Sequence, residues 1–127
     1  MSSIKDQIID YLANEGLRPQ SEEFGIFFRY QMLNFLIRWD EEDDHFIQLA
    51  IPNIFDVDDN NRMDVLTVCN SVSAERKVIK CVAVDDGVWV NAEMLLDQTP
   101  AYEDILPRAI DMVLQGRSEF YERMRKL

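Results

Sequence analysis

The sequence predicts an α+β fold, in which helices cover a mostly antiparallel five-stranded sheet and the element order is α-β-β-β-α-β-β-α. Several short segments alternate apolar and polar residues with period two, which is typical of half-buried antiparallel strands. Three further segments carry apolar residues at the spacing of amphipathic helices. A helix with a single apolar stripe must bury that stripe, and the sheet face is the surface on which it can do so.

The first helix is predicted over residues 3–15, because Ile4, Ile8 and Leu12 recur at helical spacing. Ser3 is placed to cap its first turn. Gly16 follows the last turn and can adopt the left-handed conformation that ends many helices.

Three strands are predicted next, over residues 24–30, 33–39 and 45–51. Gln31 and Met32 separate the first two, and neither is a favoured residue for a two-residue hairpin turn, so the register there stays open. Acidic residues from 40 to 44 predict a solvated turn before the third strand.

A loop over residues 53–61 leads to a second helix that ends near Ala74, with Asn61 as the expected cap. Strands over residues 78–84 and 88–94 follow, and the Asp-Asp-Gly between them is the strongest turn signal of the chain.

The last helix begins at Thr99 and Pro100, or it restarts after a kink at Pro107, and the pattern leaves both possibilities open. Its basic C-terminal residues suit the negative end of the helix dipole.

Chain length, hydropathy and net charge limit the classes of function that this protein can have. A chain of 127 residues fits a single domain over residues 1–127. It has no apolar run long enough to span a bilayer and no signal-peptide pattern, so a cytoplasmic protein is expected. The formal charge of -11 argues against nucleic-acid and anionic-membrane partners, which need a basic surface.

Residues that could carry chemistry are few. Cys69 and Cys81 lie in apolar patterns, as buried free thiols of a reducing compartment do. His45 is the single histidine and follows Asp44 at a predicted strand start, and acid–base catalysis by it would need a cleft and an orienting partner. We therefore expect no catalytic residues, no metal and no cofactor, although proximity of His45 to Cys81 in space would leave a thiol nucleophile open.

The acidic loop before the second helix invites a calcium interpretation. Asp56, Asp58, Asn60 and Asp64 fall at ligand-like positions of an EF-hand loop. The required glycine and glutamate are missing, however, so a capping loop is the better prediction.

Five residues form the candidate partner-binding surface. Trp89, Asn91 and Glu93 share one face of the last strand, and an aromatic ring beside polar groups resembles the composition of an interface. Trp39 and Phe27 from the first two strands complete the set. Period-two alternation does not decide whether a helix covers Trp89 as ordinary core.

These motifs, in this order, resemble a YbjN-type domain, whose members share the fold of type III secretion chaperones. The resemblance covers nearly the whole chain. It rests on Phe-Gly-Ile-Phe-Phe at 24–28, His-Phe-Ile-Gln-Leu at 45–49, Met-Asp-Val-Leu-Thr-Val-Cys-Asn at 63–70, Val-Ile-Lys-Cys at 78–81, Asp-Asp-Gly-Val-Trp-Val-Asn-Ala-Glu at 85–93 and the helix that ends at Phe120. The chain departs from the family at Gln31 and Met32, where a glycine-bearing turn is expected.

The resemblance implies a small, acidic, cytoplasmic bacterial protein that is often dimeric. Secretion chaperones of this fold bind unfolded effector segments along apolar grooves, and the YbjN branch is linked to sensory or stress regulation. It implies no catalytic residues.

We therefore expect a non-enzymatic protein-binding module, chaperone-like or regulatory, that acts as a homodimer through apolar surface or a sheet edge and binds a protein or peptide. Two alternatives stay open. The chain could be a small enzyme with an unrecognised site, or an immunity-type protein whose acidic surface masks a basic partner.

Overall fold

A computed structural model describes residues 3–40 and 42–127, which form three helices and one six-stranded sheet. The helices are α1 (Ile4–Asn14), α2 (Arg62–Glu75) and α3 (Tyr102–Arg125). The strands are β1 (Gln20–Glu22), β2 (Gly25–Tyr30), β3 (Leu33–Asp40), β4 (Asp43–Ile51), β5 (Ile79–Val84) and β6 (Gly87–Leu95). Their order across the sheet is β1-β2-β3-β4-β6-β5, and every pairing is antiparallel.

The predicted α+β fold is confirmed, but the count of five strands is wrong. The additional strand, β1, pairs Ser21 with Ile26 of β2 and extends the sheet by one short edge strand. Its three residues are polar and exposed, so no alternation of apolar and polar residues reveals it.

The ends of α1 follow the sequence prediction. The Ser3 hydroxyl accepts the Asp6 N–H at 3.1 Å, which satisfies a donor that the first helical turn leaves free. Gly16 has a φ of +81°, and the Leu17 N–H donates to the Leu12 carbonyl at 3.0 Å. This is the closing pattern of a helix that ends in a left-handed glycine.

The hairpin between β2 and β3 has a two-residue turn. Tyr30 pairs with Leu33, and Gln31 and Met32 between them have φ values of 52° and 65°. Both central residues therefore adopt the left-handed conformation of a type I′ turn, whose twist matches that of the flanking strands. The structure therefore defines the register that the sequence left open. The positive φ of Gln31 and Met32 carries a conformational cost that glycine would avoid.

The loop before α2 is organised by its own side chains. The Asp58 carboxylate accepts the N–H groups of Asn60 and Asn61 at 2.8 and 2.9 Å. Asn61 stands at the N-cap position, but its side chain makes no cap hydrogen bond. Its amide oxygen instead accepts the Asp58 N–H at 2.8 Å. The prediction that the Asn61 side chain caps α2 is therefore wrong, because this side chain forms hydrogen bonds within the preceding loop instead.

α3 begins at Tyr102 and continues through Pro107, so neither predicted start is correct. The Thr99 N–H donates to the Asp97 carboxylate at 2.9 Å, which holds residues 97–99 in a local turn ahead of the helix. Pro107 lies in the second turn, where its missing N–H removes a single helical hydrogen bond.

The three helices lie on the same side of the sheet and share one hydrophobic core with it. Alternate strand residues such as Phe28, Phe35 and Leu49 are fully buried beneath them. Gly116 lets α3 approach closely, because a Cβ atom at that position would overlap Ile79 Cδ1. No helix among the described residues has the length and apolar character needed to cross a membrane.

Candidate functional site

Within the described residues no helix lies on the other side of the sheet, and we call the central residues of that side the open face. Strand alternation and cross-strand register place these side chains on it: Phe27, Arg29, Asn34, Leu36, Arg38, Gln48, Ala50, Lys80, Val82, Trp89, Asn91 and Glu93. Phe27, Leu36, Val82 and Trp89 are each half-buried. The open face therefore combines apolar surface with charged and amide groups, a composition also found in protein interfaces.

Arg38 crosses the middle of the open face. Its guanidinium carbon lies 5.0 Å from the centre of the Trp89 ring, in the range of a cation–π interaction. Its Nε and Nη2 atoms both donate to the Gln48 side-chain oxygen, the first at 2.9 Å. β4 lies between the strands that carry Arg38 and Trp89, so the two side chains meet above it and shield Ala50, which is fully buried.

Asn91 is the buried polar residue of this surface. It lies opposite Ala50 on one side and Lys80 on the other, and it is 3% exposed. Its side-chain oxygen has no hydrogen-bond partner among the described residues. A buried acceptor without a partner destabilises a fold by about 1–3 kcal/mol, so its presence here needs a reason other than stability.

Glu93 is held by an ion pair. The Lys80 ammonium group contacts the Glu93 carboxylate across the pairing of β5 and β6. The pair neutralises the carboxylate of the open face and fixes both side chains on the same side of the sheet.

The structure brings four of the five predicted site residues together. Trp89, Asn91, Glu93 and Phe27 lie on the open face. Trp39 lies opposite Ile47 on the helix side and packs against the core. A surface cleft of about 400 Å³ at the end of β3 is nonetheless lined by Trp39 together with Arg38 and Gln48.

Sequence reasoning missed Arg38, Leu36 and Gln48. Alternation places Leu36 and Arg38 opposite the apolar face of their strand, and that signal was present. What the sequence does not contain is the cross-strand register that sets Arg38 beside Gln48 and within reach of Trp89.

The edge strand β5 is covered at its centre. The Ser73 hydroxyl of α2 accepts the Cys81 N–H at 2.9 Å and donates to the Cys81 carbonyl at 3.3 Å. These are backbone groups that an added strand would need. At the opposite edge, β1 is only three residues long, so both edges are poorly suited to strand addition.

The two cysteines are free, buried and adjacent, with 3.6 Å between their sulfur atoms. The Cys81 thiol donates to Cys69, and that hydrogen bond lowers the pKa of Cys69 against the opposing effect of burial. The same contact, followed by burial, raises the pKa of Cys81 well above its ordinary range. Both effects favour the protonated form of the Cys81 thiol.

The structure separates the other residues considered for chemistry. His45 is bonded to its neighbour Asp44 at 2.8 Å and lies at the start of β4, beside Leu96. Cys81 pairs with Val90 near the middle of β6, six residues along the chain from Leu96. Asp43, Asp44 and His45 form a cluster of potential metal ligands, but two of its members are exposed acidic groups.

Comparison with known proteins bears on the fold. No protein-family model matches the chain, and no curated protein is significantly similar to it in sequence. The molecule belongs to the class of α+β proteins whose antiparallel sheet has helices on one side.

Two solved structures share this architecture over nearly the whole chain. An uncharacterized protein from Methanothermobacter thermautotrophicus is 13% identical, with a TM-score of 0.71 and coverage of 96% of both chains. YbjN from E. coli, described as a proposed transcription regulator, is 12% identical, with a TM-score of 0.70 and coverage of 95% of this chain and 93% of YbjN. The chain therefore has the YbjN-type fold. At this identity the likeness establishes the fold alone.

Proposed function

We propose that the protein is a non-enzymatic binding module, regulatory or chaperone-like, that holds a partner protein against the open face of its sheet. The observation that carries this proposal is an apolar, partly polar sheet face that no helix of the described residues covers. At its centre the buried amide oxygen of Asn91 has no hydrogen-bond partner in that part of the chain. A partner on this face would remove Phe27, Leu36 and Trp89 from water, and such central apolar side chains dominate binding energies.

The composition of the face supports recognition more than chemistry. His45 and Cys81 lie apart, and the cysteine pair is buried between α2 and β5. The description of YbjN as a proposed transcription regulator agrees with a regulatory role carried out through binding.

The face is a better candidate than the edges. Ser73 occupies the outward backbone groups of β5 at Cys81, and an added strand would have to displace it. Docking onto the face needs no such displacement and uses side chains that are already half exposed.

The experiment compares two variants that add the same charge on opposite sides of the molecule. Leu36→Glu alters the open face, and Leu66→Glu alters an exposed position of α2. Each variant is used as bait in an extract of the native host, captured proteins are identified by mass spectrometry, and the affinity of the purified partner is measured by calorimetry.

We expect Leu36→Glu to weaken the partner's affinity by about tenfold or more, as loss of a central apolar contact does. Leu66→Glu should leave it unchanged. Equal affinity of both variants and the wild type would contradict binding at the open face. Thermal unfolding of each variant checks that the fold is intact.

A second copy of this chain is one protein that the face could bind, which would make the module a homodimer. Light scattering after size-exclusion chromatography tests this directly. A dimer that Leu36→Glu converts to a monomer and Leu66→Glu preserves would assign the self-interface to the open face. A monomer at all concentrations would remove the dimer from the proposal and leave the binding face to other proteins.

A further inference from the structure

The charge of the open face is opposite to that of the molecule as a whole. The chain has a formal charge of -11, yet the cations of the open face are Arg29, Arg38 and Lys80 and its carboxylate is Glu93. Lys80 already neutralises Glu93. Glu22 and Asp40 lie at strand ends. Asp40 lines the same cleft as Arg38 and Gln48, but it forms no ion pair with Arg38 among the described residues. What remains at its centre is positive, which favours an anionic group in the partner.

Arg38 is the group best placed to receive that anion. Its side chain is half-buried, and no carboxylate of the described residues lies within ion-pair distance of it. Gln48 accepts from Nε and Nη2, while Nη1 makes no hydrogen bond to the described part of the chain. An arginine left without an acidic partner in a chain rich in Asp and Glu has its binding capacity available.

The guanidinium group is also held in position before any partner arrives. Trp89 lies beneath it at 5.0 Å, and Gln48 fixes its rotation. A planar, immobilised guanidinium group binds a carboxylate with two parallel hydrogen bonds and loses little side-chain entropy in doing so.

We propose that Arg38 binds an aspartate or glutamate side chain of the partner, so that the open face selects an acidic segment whose apolar residues pack on Leu36 and Trp89. This inference rests on the proposed function and specifies the chemistry of its partner. A peptide is favoured over nucleic acid, because the strongly negative remainder of the molecule repels a polyanion, whereas a short acidic segment needs to meet only the local positive charge.

The probes are random twelve-residue peptides displayed on phage. They are selected on the wild-type protein and counter-selected on Leu36→Glu. Recovered sequences are synthesised with acetylated and amidated ends, so that no terminal carboxylate contributes, and their affinities are measured by fluorescence anisotropy. Each peptide is also made with its acidic residue changed from Glu to Gln or from Asp to Asn.

The protein variants are Arg38→Gln, Arg38→Lys and, as a matched control, Arg108→Gln on the exposed surface of α3. We expect the recovered peptides to contain an acidic residue among apolar ones. Removal of the peptide carboxylate and Arg38→Gln should each weaken binding by about tenfold, and the two changes together should weaken it by little more than either alone. Arg38→Lys should recover part of the loss, and Arg108→Gln should bind like the wild type.

Other outcomes separate this inference from the proposed function. Recovered peptides that are neutral or basic, or an acidic preference that Arg38→Gln leaves intact, would overturn the role of Arg38 while the binding face stands. Failure to recover any peptide that distinguishes wild type from Leu36→Glu would count against both. Two results would overturn the choice of an acidic peptide as the occupant. One is competition between single-stranded oligothymidylate and the peptides at Arg38, and the other is a homodimer that Arg38→Gln dissociates.

Discussion

At the scale of single residues, the turn between β2 and β3 stores conformational strain. Gln31 and Met32 both have positive φ, and each L-residue in that conformation costs about 1–2 kcal/mol. The pairing of β2 with β3 imposes this conformation, although L-residues such as Gln31 and Met32 favour negative φ. Asparagine and glycine adopt the same turn with less strain.

Replacement of these turn residues should therefore stabilise the protein. We expect Gln31→Asn combined with Met32→Gly to raise the free energy of unfolding by about 1 kcal/mol. Met32 is 87% exposed, so its side chain contributes little packing. Urea denaturation measures the change.

The control for this experiment is Met63→Gly, at a similarly exposed position in the first turn of α2. Glycine in a helix costs about 1 kcal/mol, so this change should destabilise. A loss of stability at both sites would contradict the strained turn.

Tyr102 links stability to alkaline pH. It is 8% exposed, and its hydroxyl donates to the Gln7 side-chain oxygen at 2.8 Å. Burial, and then the negative charge of Asp97, raise the pKa of Tyr102 above its usual value. The stability that its protonated form contributes is complete below the unfolded pKa, about 10, and is lost as pH rises through the higher folded value.

Tyr102→Phe isolates this contribution. At pH 8 the wild type should exceed the variant in free energy of unfolding by about 1 kcal/mol, the worth of a hydrogen bond. At pH 11 that difference should shrink. Urea titrations at both values measure it, and a difference that stays constant would show that Tyr102 does not titrate with unfolding.

At the scale of secondary-structure elements, α2 protects the edge of the sheet. A single hydroxyl group, that of Ser73, satisfies both outward backbone groups of Cys81. Native sheets commonly cover or interrupt their edges in this way, because an open edge templates association with other strands.

Ser73→Ala should expose that edge. We expect a loss of about 1 kcal/mol of stability, faster amide hydrogen exchange at Cys81, and a tendency to associate at high concentration. Ser118→Ala on the exposed surface of α3 is the matched control. Unchanged exchange at Cys81 in Ser73→Ala would contradict the protective role.

The contact between α3 and β5 depends on Gly116. Alanine there favours the helix by about 1 kcal/mol, but its Cβ atom would overlap Ile79 Cδ1, and overpacking costs about 1–3 kcal/mol. We therefore expect Gly116→Ala to destabilise the wild type.

Ile79→Val removes the clashing Cδ1 atom, so Gly116→Ala should be neutral or stabilising in that background. Thermal unfolding of the single and double variants measures the coupling between the two positions. Additive effects would contradict the close contact.

At the scale of the whole molecule, the elements were predictable and their arrangement was less so. Periodicity located the strands β2 to β6 and the apolar stripes of the helices, because alternation is a local property. β1 could not be found, since its Gln-Ser-Glu sequence has no apolar residue and forms a strand only by pairing with β2. The continuation of α3 through Pro107 likewise depends on the packing of the helix along its length.

The candidate site was predictable in part for the same reason. Trp89, Asn91 and Glu93 share a face by alternation alone. Which face the helices cover depends on all six strands together, and that arrangement separates Trp39 from the others. The proximity of Arg38 to Trp89 requires β4 to lie between β3 and β6, a long-range feature that no local pattern contains.

Binding to the open face is tested most directly by nuclear magnetic resonance of the ¹⁵N-labelled protein with its purified partner. If the partner docks there, the largest chemical-shift changes will fall on the amides of residues 34–38, 48–50 and 89–93 and on the Trp89 indole N–H. Signals from the outer surfaces of α2 and α3 will stay in place. Shifts concentrated on those helices, with the Trp89 indole unchanged, would contradict binding at the open face.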